Sequence, residues 1–154
     1  MAYTLDQLAK MTGERVGTSR WYPISQEMID KFADVTDDHQ YIHVDPVRAA
    51  GSPFGGTIAH GFLTLSMLSA MGYDAQPEIE GAAMGVNYGL NHLRFLAPVP
   101  AGSDIRGHFS VNTVEERHPR ELTITWGVEV EIKDQPKPAL IAEWLQRWYQ
   151  EPTK

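Results

Sequence analysis

The segment from Ile58 to Met71 constrains the fold more than any other part of the chain. It reads IAHGFLTLSMLSAM and carries no Asp, Glu, Lys or Arg. Wound into a helix ending before Gly72, it would carry apolar side chains over most of its circumference. Such a helix is expected to be buried nearly all round, so the rest of the chain must enclose it. Its longest apolar run, Phe62 to Met71, is too short and too rich in Ser and Thr to cross a bilayer.

The second half of the sequence supplies the enclosure, because from Met84 onward the apolar period changes to two. Val86, Tyr88 and Leu90 alternate, then the phase slips before Leu93 and Phe95, which predicts a bulge. Ile105, Phe109, Val111 and Thr113 alternate loosely. Leu122, Ile124, Trp126, Val128, Val130 and Ile132 alternate strictly, and Leu140 to Tyr149 forms a fourth, Trp-rich run. Pro98 to Gly102, His118-Pro119-Arg120 and Asp134 to Pro136 separate the runs as turns. Consecutive strands joined by short turns imply an antiparallel sheet. The expected class is therefore α+β: one domain over 1–154, with main strands at about 84–149 wrapped around a central helix at about 58–71.

The first half prepares this core. Thr4 and Gln7 have capping-box spacing, and Gly13 can stop the helix they open. Arg15 to Tyr22 reads as a strand. Ser25 reads as an N-cap, followed by Met28, Ile29, Phe32 and Val35 on one helical face. Thr36 to Asp45 reads as a polar loop, and Asp45-Pro46 as another helix start with Pro in its first position.

Charge and composition exclude several classes of function. Against 13 basic side chains stand 20 acidic ones, a formal net charge of −7. A nucleic-acid partner needs a positive field, so none is expected. A small anionic ligand such as coenzyme A needs only a local cluster of Arg and Lys. With no cysteine, disulfides and thiolate metal sites are impossible. Asp6 and its polar neighbours stand where a secretory signal would need an apolar run, so the expectation is a soluble, cytoplasmic protein with no membrane partner.

The chemistry concentrates in Asp37-Asp38-His39-Gln40-Tyr41-Ile42-His43-Val44-Asp45. A carboxylate and an imidazole five residues apart in a loop can converge on one small molecule. Water addition to a conjugated alkene needs a base near C3 and a proton donor near C2, and one Asp with one His can meet both needs through a shared water. The alternative is a turn whose Asp residues cap backbone amides and whose His is exposed. His39 and His43, four apart, could also be read with Asp38 or Asp45 as metal ligands. No metal is expected, because the segment is not clearly helical.

The run from Phe32 to Asp45 and the run Phe54-Gly55-Gly56-Thr57-Ile58-Ala59-His60-Gly61-Phe62-Leu63-Thr64 together resemble the signature of the MaoC-like hydratases, whose fold is the hot dog. Gln40-Tyr41-Ile42-His43, Asn87 to Phe95 and the Pro98 to Gly102 turn are similar to the subgroup named for nodulation protein N. The resemblance covers nearly the whole chain. It implies (R)-specific syn hydration of trans-2-enoyl-CoA, reversible as dehydration, with acyl-CoA as substrate partner, no cofactor and a homodimer of two hot dogs. By motif, Asp38 and His43 match the catalytic dyad, and Gly61 N–H matches the oxyanion hole. A packing glycine at a crowded helix start is the other reading of Gly61.

Further candidates follow with their alternatives. Gln40 replaces a usual Asn, and either positions water or caps the loop. Ser69 is a better positional match than Ser66 for a family serine near the catalytic Asp, and either serine can instead bond its own helix. Asn87, Tyr88 and Gly89 line an acyl pocket or simply form an edge strand around a bulge. Asp37 stands where the family has Gly, which puts a charge beside the pair and points to a shifted pH profile. Two rival functions remain open: a hot-dog thioesterase, and a non-catalytic acyl-CoA-binding or assembly subunit.

Overall fold

The computed structural model describes residues 2–150. Residue 1 and residues 151–154, the ends of the expected 1–154 domain, lie outside the described residues. Helix α1, Leu5–Lys10, opens on the expected capping box, with Thr4 accepting from Gln7 N–H and the Gln7 side chain accepting from Thr4 N–H. The expected first strand is two short ones, β1 (Arg15–Thr18) and β2 (Tyr22–Ile24), which pair with different stretches of the same partner. Helix α2, Gln26–Thr36, is capped by the Ser25 hydroxyl. Its inner stripe runs through Met28, Ile29, Phe32 and Ala33. Val35 lies beyond the edge of that stripe and is 86 % exposed, contrary to expectation.

The loop expected over 36–45 contains a helical turn, α3 (Tyr41–Val44), and α4 (Pro46–Ala49) follows with Asp45 capping Arg48 N–H. The central helix also differs from its expected outline. Residues 58–60 are extended, with Ala59 N–H bonded to the Val99 carbonyl. The helix then runs as α5 (Gly61–Ser66) and α6 (Leu68–Ala75), past Gly72. It is buried on one face only: Leu63, Thr64, Leu68, Met71 and Gly72 are enclosed, whereas Phe62 and Tyr73 face outward. One chain's sheet covers one side of a helix, and the second side, with Phe62 and Tyr73, stays uncovered within a single chain.

Strands β3 (Ala82–Phe95), β4 (Ser103–His118), β5 (Glu121–Ile132) and β6 (Leu140–Gln150) match the four alternating runs. The sheet is antiparallel throughout in the order β1-β4-β5-β6-β3, with β2 also on β4. Strands β4, β5 and β6 form a meander, while β3 crosses to the far edge and pairs with β6. The strict alternation of β5 is the spine of the core: Leu122, Ile124, Trp126, Val128, Val130 and Ile132 are all buried. The phase slip in β3 is a bulge between Leu90 and Leu93.

The sheet and the central helix meet at one very tight point. A Cβ added to Gly17 would lie 1.8 Å from the carbonyl oxygen of Ala75, at the end of α6. Backbone meets backbone there, so no side-chain rotation can relieve the clash. Gly17→Ala is expected to lower stability by about 1–3 kcal/mol through forced displacement of α6 from β1. Urea unfolding of the variant checks this, and an unchanged midpoint would show that the two backbones separate freely.

Candidate active site

The site begins where α2 ends. Asp37 closes that helix in the left-handed region, φ 58°, a conformation that glycine adopts without a Cβ penalty. The reversal brings Asp38 back towards the start of the central helix. Five residues later, α3 turns His43 inward to 7 % exposure. Ile58 holds that turn from both sides. Its N–H donates to the Ile42 carbonyl at 3.0 Å, and its carbonyl accepts from His43 Nδ1 at 2.7 Å. Gln26, at the start of α2, adds a third tie by donating from Nε2 to the His43 carbonyl at 2.7 Å. Its own Oε1 accepts from the Thr57 hydroxyl.

These bonds fix the protonation pattern of His43. A carbonyl cannot donate, so Nδ1 carries the proton, and Nε2 is left as an acceptor in the neutral ring. Burial holds the His43 pKa below its ordinary value. The bond to Ile58 and the Asp38 charge oppose that shift, while neighbouring His60 reinforces it. His43 is accordingly an uncharged proton acceptor near neutral pH.

His60 completes the cluster. Its Nε2–H donates to the Asp38 carbonyl at 2.9 Å, and its ring stacks on His43 with centroids 3.8 Å apart and planes 26° apart. A ligating atom of each of Asp38, His43 and His60 lies within 4.8 Å of the others. The trio has the composition of a metal site, but its rings do not suit chelation. The lone pair of an imidazole lies in the ring plane, so two stacked rings direct theirs side by side rather than at one ion. His39, the other partner in the metal reading, lies apart. It pairs with Asp34 at 2.9 Å and approaches Asp37 at 3.6 Å on the surface.

Beside His43 opens a cavity of about 320 Å³ lined by Phe54, Ile58, Gly61, Thr64 and Phe95 among others. Gly61 is the first residue of α5, where an amide has no carbonyl one turn earlier to bond. A Cβ on Gly61 would stand 3.1 Å from the Phe95 ring, so the absence of a side chain also lets Phe95 close on the helix. The tight-packing reading of Gly61 rests on this contact.

Asp38 lies within 4.8 Å of His43, Gly61 lines the cavity beside His43, and the remaining candidates are placed as follows. Gln40 is exposed, and its main-chain N–H, rather than its side chain, faces Asp38 Oδ1 at 3.4 Å. Ser69, Asn87 and Gly89 share a separate cavity of about 370 Å³ between the central helix and β3. Tyr88 is exposed, with the Arg147 guanidinium 3.9 Å from its ring centroid. Ser66 bonds back to the Phe62 carbonyl at 2.7 Å, the local alternative to a site role. Sequence reasoning missed His60, Gln26 and Thr64 as residues of the site. His60 was flagged only by its place before Gly61, and Gln26 by nothing more than its place after a helix cap.

A family model described as "MaoC like domain" matches residues 7–132. Nodulation protein N of Rhizobium leguminosarum bv. viciae is 49% identical over 143 residues, covering 92% of this chain and 89% of that protein. The 3-hydroxyacyl-thioester dehydratase Z of Mycobacterium tuberculosis is 46% identical over 141 residues, covering 92% and 93%. Among solved structures, the (R)-hydratase from A. caviae involved in PHA biosynthesis superposes with a TM-score of 0.70 at 23% identity, over 86% of this chain and 95% of that one. At that identity the superposition establishes the hot-dog fold alone.

The geometry revises the expectation for Asp37. Its side chain is fully exposed, and its charge helps hold the His39 pKa up, after the larger effect of Asp34, while it does not figure among the influences on His43. The family's Gly at this position answers a backbone requirement. Asp37→Gly should therefore change stability by no more than about 1 kcal/mol, since eased strain offsets added unfolded-state entropy. The pH at which His43 titrates should stay the same, and a nuclear magnetic resonance titration of the variant reads it directly.

Proposed function

The chain belongs to the MaoC-like domain family, and from that premise we propose that it adds water reversibly across trans-2-enoyl-CoA to give (R)-3-hydroxyacyl-CoA. The observation that carries this reading is the neutral, Nδ1-protonated His43, which has a ring nitrogen within 4.8 Å of the Asp38 carboxylate and lines a cavity together with Gly61. The names of relatives support it. One is a 3-hydroxyacyl-thioester dehydratase and another structure is an (R)-hydratase.

In this proposal His43 Nε2 and the Asp38 carboxylate each accept one O–H of a single water. The oxygen of that water bonds to C3 as one of its protons passes to the pair. Electrons of the double bond shift towards the thioester carbonyl, whose growing negative charge meets the Gly61 amide. The pair then returns the proton to C2, so one water supplies both added groups and the enzyme ends unchanged. Delivery from one side accounts for syn addition and a single product configuration. Hydration is preferred to thioester hydrolysis because the named relatives are a 3-hydroxyacyl-thioester dehydratase and an (R)-hydratase.

Asp38→Asn and His43→Gln keep approximate shape and remove proton-transfer capacity, so each should lower kcat by about 10²–10⁴-fold. Since both groups hold the same water, the double variant should lose little beyond the worse single one. Loss of absorbance by the conjugated thioester measures turnover, a thiol reagent detects any thioesterase activity, and chiral chromatography identifies the product. In the wild type, activity should fall with acid through a midpoint below about 6.5, because His43 must be neutral and its pKa is depressed. Folded single variants that keep more than about a tenth of normal kcat would refute the acid–base assignment.

We also assign a homodimer to the protein. The outward face of the central helix and the edge strand β3 expose Phe62, Tyr73, Met84, Val86, Tyr88 and Leu90. A soluble chain seldom leaves such an apolar set uncovered, and a two-fold axis beside an edge strand covers it with its own copy. Light scattering at micromolar concentration should give the mass of two chains, and a fully active monomer would overturn the assignment.

A further inference from the structure

We propose that His60 is a positioning residue for the acid–base pair, holding Asp38 through its main chain and His43 through its ring face. The inference rests on the hydratase reading above. His60 is 3 % exposed, immediately before the first turn of α5. Its two ring nitrogens have different fates. Nε2–H is spent on the Asp38 carbonyl, whereas Nδ1 is buried without a hydrogen-bond partner among the described residues. A buried polar atom left unmet is costly, and an apolar ring would fill this space without that cost. Something about an imidazole must therefore repay the orphaned nitrogen.

The repayment lies in what its two faces and its one donor reach. Asp38 sits on a surface loop, one residue after a left-handed helix cap, and its own side chain is exposed. The described tethers on its main chain are its N–H bond to Ala33 and the bond from His60 to its carbonyl. Without the second, the carboxylate could swing with the loop. On the other side, His43 is fixed in its plane by Ile58, and the stacked His60 ring closes the face above it to water. Phe32 packs on His60 at a tilt, centroids 5.0 Å apart, so the imidazole is itself held by α2. One side chain thereby sets the distance between two groups that approach from different elements.

The charge environment agrees with this. The titratable groups acting on His43 are His60, from the start of the central helix, and Asp38, from the loop after α2. His60 acts in the same direction as burial, lowering the His43 pKa, and Asp38 acts against both. Removing the second imidazole takes away one influence and, where the ring is lost, part of the desolvation.

Two replacements separate the two roles. His60→Phe keeps an aromatic face against His43 and loses the donor to Asp38. His60→Gln keeps an amide N–H near the Nε2 position and loses the ring. Both are expected to lower kcat about tenfold or more while KM stays within about threefold, since neither touches the substrate. His43 should titrate at higher pH in both, with the larger rise in His60→Gln, where water reaches the exposed ring. Asn at this position cannot reach Asp38 and lacks the ring, so His60→Asn should be the worst of the three. Imidazole resonances of His43 followed by nuclear magnetic resonance report this without any substrate. A protein that titrates as expected but hydrates no enoyl thioester would retain the positioning role and defeat the hydratase reading. Folded His60→Phe and His60→Gln proteins with His43 titration and kcat both within twofold of wild type would defeat the positioning role.

Discussion

The backbone of a single residue, Ile58, ties the candidate site to the fold. Its N–H and its carbonyl both engage α3, one on the main chain of Ile42 and one on the ring of His43. The neighbouring amide of Ala59 bonds Val99 in the turn that leads from β3 to β4. Backbone therefore links the short helical turn, the sheet and the start of the central helix within a few residues. Because the bond to His43 is to a carbonyl, it also decides which ring nitrogen carries the proton. Architecture and protonation state are set by the same contact, and neither can drift without the other.

The elements that sequence patterns made legible are those whose pattern is dense and local. The strict alternation of Leu122 to Ile132 became a buried strand, the Thr4–Gln7 and Ser25 caps opened helices, and the lost phase before Leu93 became a bulge. The errors arose where tertiary contacts override local pattern. Residues 58–60 are as apolar as the helix that follows, but the bonds of Ile58 and Ala59 to other elements keep them extended. The burial of the central helix was overestimated because the pattern of one chain describes every surface that is to be covered, including any that a single chain leaves bare. That the turn after β3 leads across to a β4 that is not its neighbour is likewise invisible to periodicity.

The candidate site divides in the same way. Asp38, His43 and Gly61 stand out in the sequence because each belongs to a long motif with a fixed spacing. His60 and Gln26 act through partners 22 and 17 residues away, and a nearest-neighbour reading gives no hint of such pairings. Asp37 shows a subtler failure. A charged residue beside the proposed acid–base pair invites an electrostatic explanation, but its left-handed φ and exposed side chain assign it to chain reversal. Ser69 and Asn87 do share a cavity, away from His43, so chemistry-bearing residue types alone do not define one site.

The bulge in β3 works as a change of reading frame. From Leu90 to Leu93 the strand advances three residues while β6 advances two, from Trp144 to Ala142. Side chains alternate between faces, so the extra residue exchanges the faces used before and after it. Leu90 before the extra residue, and Leu93 and Phe95 after it, pair with Trp144, Ala142 and Leu140 and so share one face of the sheet. This exchange brings Phe95 against Gly61 and sends Arg94 the other way. The position is thus far more tolerant of substitution than of a change in length. Many side chains would be accepted at Asn91 or His92, whereas the loss of one residue there would present a guanidinium where an aromatic ring now bounds the cavity. Insertions and deletions, rather than point changes, are the variation that this stretch of the chain must resist.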